Sequence, residues 1–366
     1  MGLRLTQLDE TNRPAFERLL AHVWQLSCSV ELARAVVRWR YDERASGGGT
    51  WLVCHDGECV AMLDSFLRPY LLNGRRIHVR EGCDWYCLPK YRSLGLGIRL
   101  MKKMMTCDEP MISIGGSEWT RAILPKLGWK RLPDVQSYVL PLKARGAAGA
   151  ILRDRWPVYE AYVRLVPEFL PARRLRRAEA PRVGATSVEE WRPGAPALLP
   201  PAGGRGLVQL LEPGDLDWMG RMPDGLARPF GLAFSLGREP VGFSLAQLEP
   251  APTGLDGRIV HVLITHEAQE IADWVMAETA RRLAGLGAGM VRCLASTPQK
   301  KIALRRAGFV SRAPLPSYWW SNNIALSPSA SDTGYLRADD AIPFSTLRAH
   351  HSSLPEEEAP ASRTGA

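Results

Sequence analysis

The alternation of apolar and polar residues predicts a mixed series of strands and helices over the first 143 residues. Strands are expected where apolar residues recur at every second position, and helices where they recur at every third or fourth. Two short apolar runs flank Asp56-Gly57, a sequence typical of a hairpin turn. The predicted elements are a strand over 2–9, helices over 13–24 and 30–41, strands over 51–55, 59–67 and 76–88, a helix over 98–105, a strand over 111–114, a helix over 118–127 and a strand over 136–142.

A glycine-containing turn separates the strand over 76–88 from the helix that follows it. Glycine lets backbone N–H groups approach an anion, and a helix N-terminus adds partial positive charge. The turn is therefore predicted to bind phosphate or pyrophosphate, which usually belongs to a cofactor. The residues expected to hold it are Arg92, Ser93, Leu94, Gly95, Leu96, Gly97 and Ile98.

Two motifs in this region resemble those of a known family. Pro89-Lys-Tyr91-Arg92-x-x-Gly95-x-Gly97 resembles the acetyl-CoA motif of the GNAT superfamily of N-acyltransferases. At the expected separation, Ala122-Ile-Leu-Pro-Lys-Leu-Gly128-Trp129 resembles the second helix motif of that family. A P-loop would end in Gly-Lys-Ser/Thr, and a Rossmann turn would carry three glycines near the chain start. The resemblance covers 1–143 and implies an α/β domain with a mostly antiparallel, twisted sheet flanked by helices.

The second half of the chain repeats features of the first at a constant offset of 180 residues. This repeat predicts two GNAT-like domains in tandem. The same offset places Ala272, Val275 and Ala277 where the first half has Arg92, Gly95 and Gly97, so the second domain is expected to be degenerate. The matching pairs are Met111-Ile-Ser-Ile114 with Val291-Arg-Cys-Leu294, Gly128-Trp129 with Gly308-Phe309, and Ser137-Tyr138 with Ser317-Tyr318.

Composition shifts along the chain predict four segments. Residues 1–143 would form the acyl-CoA-binding catalytic domain, and 144–202 a Pro/Arg-rich linker with an apolar helical stripe from Trp156 to Phe169. Residues 203–326 would form the degenerate domain, and 327–366 a polar, largely disordered tail.

The resemblance also implies roles for individual residues. A splayed strand would bind the pantetheine and the thioester through Tyr86, Cys87 and Leu88. Glu81 is the preferred general base, on the strand where several GNAT enzymes carry a catalytic glutamate; Asp84 is the second choice, because a bulge could exchange the two faces of the strand. Many GNAT enzymes have a tyrosine as general acid where this chain has Leu124. Tyr138 or Tyr91 could substitute for it, or solvent could protonate the thiolate.

The acceptor is predicted less directly. Arg38-Trp39-Arg40-Tyr41 resembles the entry segment of GNAT-like proteins linked to cell-envelope polysaccharides, and aromatic side chains suit a sugar ring. The expected reaction is therefore transfer of an acyl group, first of all acetyl, from acyl-CoA to a primary amine, with an amino sugar as first candidate and a small amine as second. A FemAB-like aminoacyl transferase and a non-catalytic CoA-binding module remain alternatives. The candidate substrate-binding residues are Trp39, Tyr41, Trp85 and Trp119.

The net charge and the cysteine content indicate which partners and which cellular compartment to expect. The net charge of +9 is spread along the chain, which suits a CoA binder better than a nucleic-acid surface. The seven cysteines are scattered without the paired spacing of a metal site, so we expect reduced thiols and no bound metal. Reduced thiols are typical of a cytoplasmic protein. No apolar run is long enough for a membrane span, membrane contact is not expected, and the oligomeric state is left open.

Overall fold

The computed structural model describes residues 2–24, 30–44, 47–143, 186–190, 206–251, 254–324 and 331–332. The helical stripe predicted between Trp156 and Phe169 lies outside these residues, as does most of the tail predicted after residue 326. Among the helices that are described, none is long and apolar enough to cross a bilayer.

The N-terminal half is a strand-rich layer with helices on both of its faces. Helices α1 and α2 pack on one face together with parts of the C-terminal half, whereas α3 packs on the other. Short non-α turns occur over Arg38–Asp42 (a π-helical turn), Pro89–Leu94 and Pro125–Leu127 (3₁₀ turns). The main elements are β1 (Arg4–Gln7), α1 (Arg13–Trp24), α2 (Val30–Val37), β2 (Trp51–His55), β3 (Glu58–Leu72), β4 (Arg75–Cys87), α3 (Leu96–Met104), β5 (Met111–Ile114), α4 (Glu118–Ile123) and β6 (Lys130–Pro141).

The C-terminal half repeats this order of elements. Its own core lies between the sheet and two helices, α6 and α7. Two short strands, β7 and β15, come from segments that were predicted to be linker and tail. The elements are β7 (Thr186–Glu190), β8 (Leu207–Gln209), α5 (Pro213–Gly220), β9 (Arg228–Leu236), β10 (Glu239–Ala251), β11 (Gly254–Ile264), α6 (Gln269–Gly285), β12 (Ala288–Ala295), α7 (Pro298–Arg306), β13 (Val310–Ser311), β14 (Leu315–Trp320) and β15 (Ser331–Asp332).

The two halves share one continuous layer of strands. The strands join in the order β1-β2-β3-β4-β5-β14-β6-β12-β11-β10-β9-β7. The pairs are antiparallel except for β4 with β5, β11 with β12, and β15 with β8. The predicted fold class, a mixed α/β fold with a largely antiparallel sheet, is confirmed.

The closing strands of the two halves are exchanged. β14, from the end of the C-terminal half, pairs with β5 of the N-terminal half through Ser317↔Ile114. β6, from the N-terminal half, pairs with β12 of the C-terminal half through Tyr138↔Cys293. Both strands were predicted, but each completes the sheet of the other half. The side chains of the exchanged strands also pack in the core of the other half: Tyr318 lies under α3 and Tyr138 lies under α6.

A pair of tryptophans joins the halves with approximate two-fold symmetry. The rings of Trp39 and Trp218 stack with centroids 4.5 Å apart and an interplanar angle of 6°. Each indole N–H donates to the backbone oxygen of the other residue, at 2.8 Å in both directions. Both side chains are buried, so the contact combines apolar burial with two satisfied buried donors.

Several element bounds differ from the predictions. The helix predicted over 30–41 ends at Val37 and continues as the π-helical turn, which lets the adjacent Trp39, Arg40 and Tyr41 all be buried. β6 begins at Lys130, six residues before its predicted start, because its first part pairs with β14. The offset of 180 also fails at one helix, since α3 begins at Leu96 and α6 begins at Gln269.

Candidate functional site

The first feature of the site is a fork between two parallel strands. β4 and β5 pair only through Arg80↔Met111 and Glu81↔Ile112. β4 then continues to Cys87, paired with β3 on its other side. Among the described strands, none pairs with the β5-facing edge of β4 beyond Glu81. This open edge offers main-chain hydrogen-bonding groups to an extended ligand, much as a sheet edge accepts an added strand.

A β-bulge marks the start of the open edge. The register between β3 and β4 shifts between Met62 and Asp64, so that Asp84 and Trp85 together face Leu63. Asp84 has a φ of 45°, which is rare for a residue other than glycine. Beyond the bulge, the N–H of Leu88 donates to Val60 O of β3 at 2.9 Å. Because main-chain groups alternate sides along a strand, Cys87 presents its N–H and C=O on the open edge.

The open edge leads directly into the glycine turn. Pro89–Leu94 forms a short 3₁₀ helix, and Gly95 follows in the left-handed conformation with a φ of 66°. This conformation is accessible to glycine without steric cost. α3 then begins at Leu96, so the amides of its first residues have no partner inside the helix and point back toward the turn. The amide of Gly95 itself donates to Arg92 O at 3.1 Å.

The second glycine of the turn has a packing role. The indole of Trp85 lies against Gly97, and its N–H donates to Gly97 O at 3.1 Å. A Cβ on Gly97 would lie 3.1 Å from the indole nitrogen, closer than is usual for such contacts. Trp85 therefore lies on the α3 face of β4, in the cluster that contains Leu100 and Met104.

Arg92 connects the turn to the open edge. Its Nε donates to Cys87 O at 3.2 Å, and its guanidinium lies 6.0 Å from the centre of the Tyr86 ring. The side chain is otherwise exposed, as are those of Ser93 and Leu94. The structure thus brings the turn residues and the strand residues predicted for the cofactor into one continuous strip of backbone.

Glu81 lies at the branch point of the fork and is almost fully buried. Its Oε1 accepts from Tyr70 Oη at 2.6 Å and from Gln209 Nε2 at 2.5 Å. Its Oε2 lies 3.3 Å from Arg68 Nε. Burial raises the pKa of Glu81 to about 7, although Arg68, Tyr70 and Gln209 act in the opposite direction.

Asp84, the second candidate base, is held by cations and a phenol. Its Oδ2 accepts from Arg40 at 2.6 Å and from Tyr41 Oη at 3.0 Å. The bulge does place Asp84 on the same face as Glu81, as the prediction allowed. Its carboxylate, however, is engaged by the buried Arg40, so it acts as an anchor for the π-helical turn.

Other predicted site residues are placed where they cannot perform the expected role. Tyr138 is buried in the core of the C-terminal half beside Cys293, because of the strand exchange. Trp39 is stacked on Trp218, and Tyr41 is buried against Phe16 and Asp84, so neither offers a platform to a sugar. These three assignments are corrected.

The remaining candidates differ in exposure. Trp85 packs on α3, away from the face that carries Glu81, which also removes it as a sugar platform. Trp119 is 73% exposed in the first turn of α4. Leu124 is fully buried in the cluster under α3, so the usual tyrosine position is part of the apolar core. Tyr91 contacts His55 Nδ1 at 3.2 Å, at the β2 side of the turn.

Two residues beside Glu81 were not anticipated. Arg68 and Gln209 are both buried and polar. A buried arginine in an apolar strand such as Ser65-Phe-Leu-Arg68 is a usable signal, because charged residues are seldom fully buried without a partner. Gln209 gave no signal, since its contact with Glu81 spans 128 positions in sequence.

The C-terminal half has the same fork but fills it. β11 pairs with β12 up to Ile259↔Cys293, and the register with β10 shifts between Leu245 and Ala246. The Nζ of the buried Lys300 donates to Val262 O at 2.7 Å, just beyond this point. Residues 265–268, which precede α6, contain no glycine. Gln299 closes this loop by donating to His266 O and Glu267 O.

Comparisons with known proteins agree with the fold described above. Residues 9–107 match the model of the acetyltransferase (GNAT) family. A GCN5-related N-acetyltransferase from Anabaena variabilis is 12% identical, with a TM-score of 0.56 over 87% of this chain and 72% of that one. A tandem GNAT protein from the clavulanic acid biosynthesis pathway is 13% identical, with a TM-score of 0.51 over 88% of this chain and 100% of that one.

Another enzyme shares the same fold. The N-myristoyltransferase of Saccharomyces cerevisiae, solved with bound myristoyl-CoA, is 10% identical, with a TM-score of 0.53 over 92% of this chain and 87% of that one. A search of curated protein sequences found no match. Residues 9–107 are thus a GNAT-family domain, and the two halves together have the fold of a tandem GNAT protein.

Proposed function

We propose that this protein is an acyl-CoA-dependent N-acyltransferase whose single donor site lies in the N-terminal half. The observation that carries the proposal is the open edge of β4 beyond Glu81, which runs without interruption into the Gly95 turn and the start of α3. The matching fork of the C-terminal half is filled by Lys300 and lacks the glycine turn. The GNAT fold supports acyl transfer in general, and the residue roles below are part of the proposal.

The backbone of this strip fits the shape and charge of CoA. The amides of Leu96, Gly97 and Ile98 would bind the pyrophosphate, aided by the positive end of α3. Arg92 would add a fixed cation while its Nε remains on Cys87 O. The open edge at Cys87 would hold the pantetheine, with Tyr86 beside it. Leu88 would contribute through its side chain, because its N–H is already bonded to Val60 O.

Bound acyl-CoA would supply the acyl group as a reactive thioester. Glu81 would act as general base and accept the proton of the ammonium group, directly or through water, at Oε2. A base with a pKa of about 7 suits this role near neutral pH. The leaving thiolate would be protonated by solvent, because Leu124 occupies the usual tyrosine position and Tyr138 faces the other core. The third candidate acid, Tyr91, is engaged with His55 Nδ1.

The acceptor in this proposal is a primary amine. An amino sugar, including one of cell-envelope polysaccharide synthesis, is the first class to test. Only Trp119, of the four aromatic residues considered, has the exposure that a sugar platform needs. Small amines are the second class. A screen of amines for CoA release would rank the two.

A non-catalytic acyl-CoA-binding module is the second candidate. It is favoured by the burial of Leu124 at the general-acid position and by the engagement of Asp84 with Arg40. This candidate predicts acyl-CoA binding without turnover of any amine. An aminoacyl transferase of the FemAB-like kind would not need the glycine turn and predicts no CoA binding.

A thermal-shift titration with acetyl-CoA tests the donor site. Saturable stabilisation is expected, because a ligand that binds only the folded state raises the melting temperature. Desulfo-CoA and pantetheine serve as matched ligands that separate the contribution of the thioester from that of the pyrophosphate. No shift with any of the three would reject the donor site.

The substitution Glu81→Gln tests the base. We expect a loss of turnover of about 10²-fold or more, with acetyl-CoA affinity within about twofold of the unmodified protein. Asp84→Asn is the matched variant on the same strand; it should lower stability by loosening Arg40 but leave the pH profile unchanged. Equal turnover of the Glu81→Gln variant across the pH range would remove Glu81 from the mechanism.

A further inference from the structure

The carboxyl group of Glu81 is reached by both halves of the molecule. β8 runs antiparallel to β3 in register Tyr70↔Gln209, which places the side chains of these two residues next to each other. Glu81 pairs with Phe66 on the same sheet, one strand further along. Three strands therefore meet at this carboxyl group, two from the N-terminal half and one from the segment that begins the C-terminal half.

The two oxygens of Glu81 have different surroundings. Oε1 accepts two hydrogen bonds, from Tyr70 and from Gln209. Oε2 accepts none from the described residues, although Arg68 Nε lies 3.3 Å away. An oxygen that already accepts two short hydrogen bonds has little lone-pair capacity left for a proton. The free capacity of this carboxylate lies on Oε2.

Arg68 is in turn oriented from the C-terminal half. Its Nη1 donates to Asp215 Oδ1 at 2.7 Å, and both side chains are buried. Its guanidinium also lies 5.8 Å from the centre of the Trp218 ring. Asp215 and Trp218 both belong to α5, so this helix fixes the cation that faces Oε2.

We propose that the C-terminal half serves as a positioning element for the general base of the N-terminal half, with Gln209 holding Oε1 and Asp215, through Arg68, setting the surroundings of Oε2. The inference rests on the proposed function for its catalytic meaning. Gln209 and Arg68 are positioning residues in this scheme, since both act through Glu81. The degenerate half thereby has a task in the site although it lacks a donor turn.

Charged and polar side chains from several described elements face Glu81. β3 contributes Arg68 and Tyr70, α5 contributes Asp215, and β8 contributes the neutral Gln209. On β11, His261 stays neutral, because burial, Lys300 and Arg68 lower its pKa to about 3. Gln209 stabilises the ionised form of Glu81 by donating to it, so removing this donor raises the pKa of Glu81 further.

The test replaces the donor by an apolar side chain of similar length. Gln209→Met should move the acidic limb of the kcat profile upward by about one pH unit, since a hydrogen bond to a charged group is worth about that much. Turnover should then fall about tenfold on the acidic limb and return to within about twofold above it. A purely structural defect would lower turnover at every pH.

Two further variants complete the first arm. Tyr70→Phe removes the other donor to Oε1 and should shift the limb in the same direction. Val208→Ala changes the neighbouring residue of β8, which pairs with Leu71, and should leave the limb in place. A limb that stays in place in the Gln209→Met variant would overturn the proposal, and a shift in Tyr70→Phe alone would assign the effect to the N-terminal half.

A second arm does not depend on turnover. The pKa of Glu81 in the folded protein, about 7, exceeds its ordinary value of 4.5. Its contribution to stability is therefore complete below the ordinary value and is lost as the pH rises through about 7. The difference in melting temperature between the unmodified protein and Glu81→Gln, followed against pH, reports this midpoint. Repeating the pair in the Gln209→Met background should raise the midpoint by about one pH unit.

The kcat profile and the melting-temperature midpoint together distinguish a failure of the positioning role from a failure of the proposed function. An unchanged midpoint overturns the positioning role even if the protein transfers acyl groups. A raised midpoint without turnover of any amine by the unmodified protein supports the effect of Gln209 on Glu81 and rejects the proposed function.

Discussion

The two halves of this protein have the same fold but differ at the corresponding fork of strands, which is open in one half and occupied by a lysine side chain in the other. In the N-terminal half, β4 and β5 separate after Glu81, and the open edge continues into a left-handed glycine and the start of α3. In the C-terminal half, β11 and β12 separate after Ile259, and the buried Lys300 donates to Val262 O. The comparison shows that the fork belongs to the fold, whereas the open edge that the proposed donor site needs is present only where no side chain occupies the fork.

The halves are also interdependent, unlike two domains joined only by a linker. Each sheet is completed by a strand of the other half, and Trp39 and Trp218 contact each other through equivalent atoms. An exchange of this kind leaves β5 and β12 each without one of their two neighbouring strands if the halves separate. The three predictions below examine this symmetry and the point at which it is broken.

The largest effect is expected at the tryptophan pair, where the halves are most alike. Trp39→Ala and Trp218→Ala should each lower the free energy of unfolding by about 3–5 kcal/mol, as for other buried large-to-small changes. The double variant should lose clearly less than the sum, because each single change already removes the shared stack. Urea unfolding measures all three.

Trp119→Ala is the control for this prediction, because Trp119 is 73% exposed and should change stability by less than about 0.5 kcal/mol. Additive losses in the double variant would mean that the two tryptophans act independently and that the approximate two-fold contact has no energetic counterpart.

The second effect should distinguish the halves by ligand binding. Gly95→Val and Gly237→Val both force a β-branched residue to a positive φ, of 66° and 59° respectively. Each should cost about 1–2 kcal/mol in stability. Only Gly95→Val should weaken acetyl-CoA binding, by about tenfold or more, because it distorts the turn before α3. Isothermal titration with acetyl-CoA decides between the two, and equal affinity of both variants would contradict the proposed donor site.

The smallest effect concerns the filled fork. Lys300→Met should lower stability by about 1 kcal/mol, because Val262 O loses the donor that reaches it. Lys301→Met, at the next and less buried position, is the control and should be nearly neutral. Neither change should alter acetyl-CoA affinity, since the C-terminal half has no glycine turn to bind a pyrophosphate. A second acetyl-CoA site in the Lys300→Met variant would show that Lys300 alone closes that half.

Many helices and strands could be predicted because the spacing of apolar residues within a single segment specifies them. α1, β2 and β5 have the bounds that the alternation of apolar residues gave. Gly128 and Gly308, both at positive φ, end equivalent helical segments, as the repeat indicated. Their conformations depend on a few neighbouring residues, so they can be read from one segment at a time.

The environment of the site could be predicted only in part. The glycine turn follows from residues within one short segment, and so does the position of Glu81 on β4. The burial of Trp39 and Tyr41 does not, because it requires α5 and the bulge at Asp84 to be in place. The roles first assigned to these aromatic residues and to Tyr138 were wrong for that reason.

By itself, the sequence determined the order of most strands and helices, and that a glycine turn precedes α3 in one half whereas the segment before α6 in the other half contains no glycine. These properties depend on backbone conformations and side-chain types that are close along the chain. Only the tertiary structure decided which half each closing strand completes, which fork remains open, and how Gln209 and Arg68 come to face Glu81. Those outcomes depend on contacts between residues more than a hundred positions apart, whose free energy arises only when both halves are packed together.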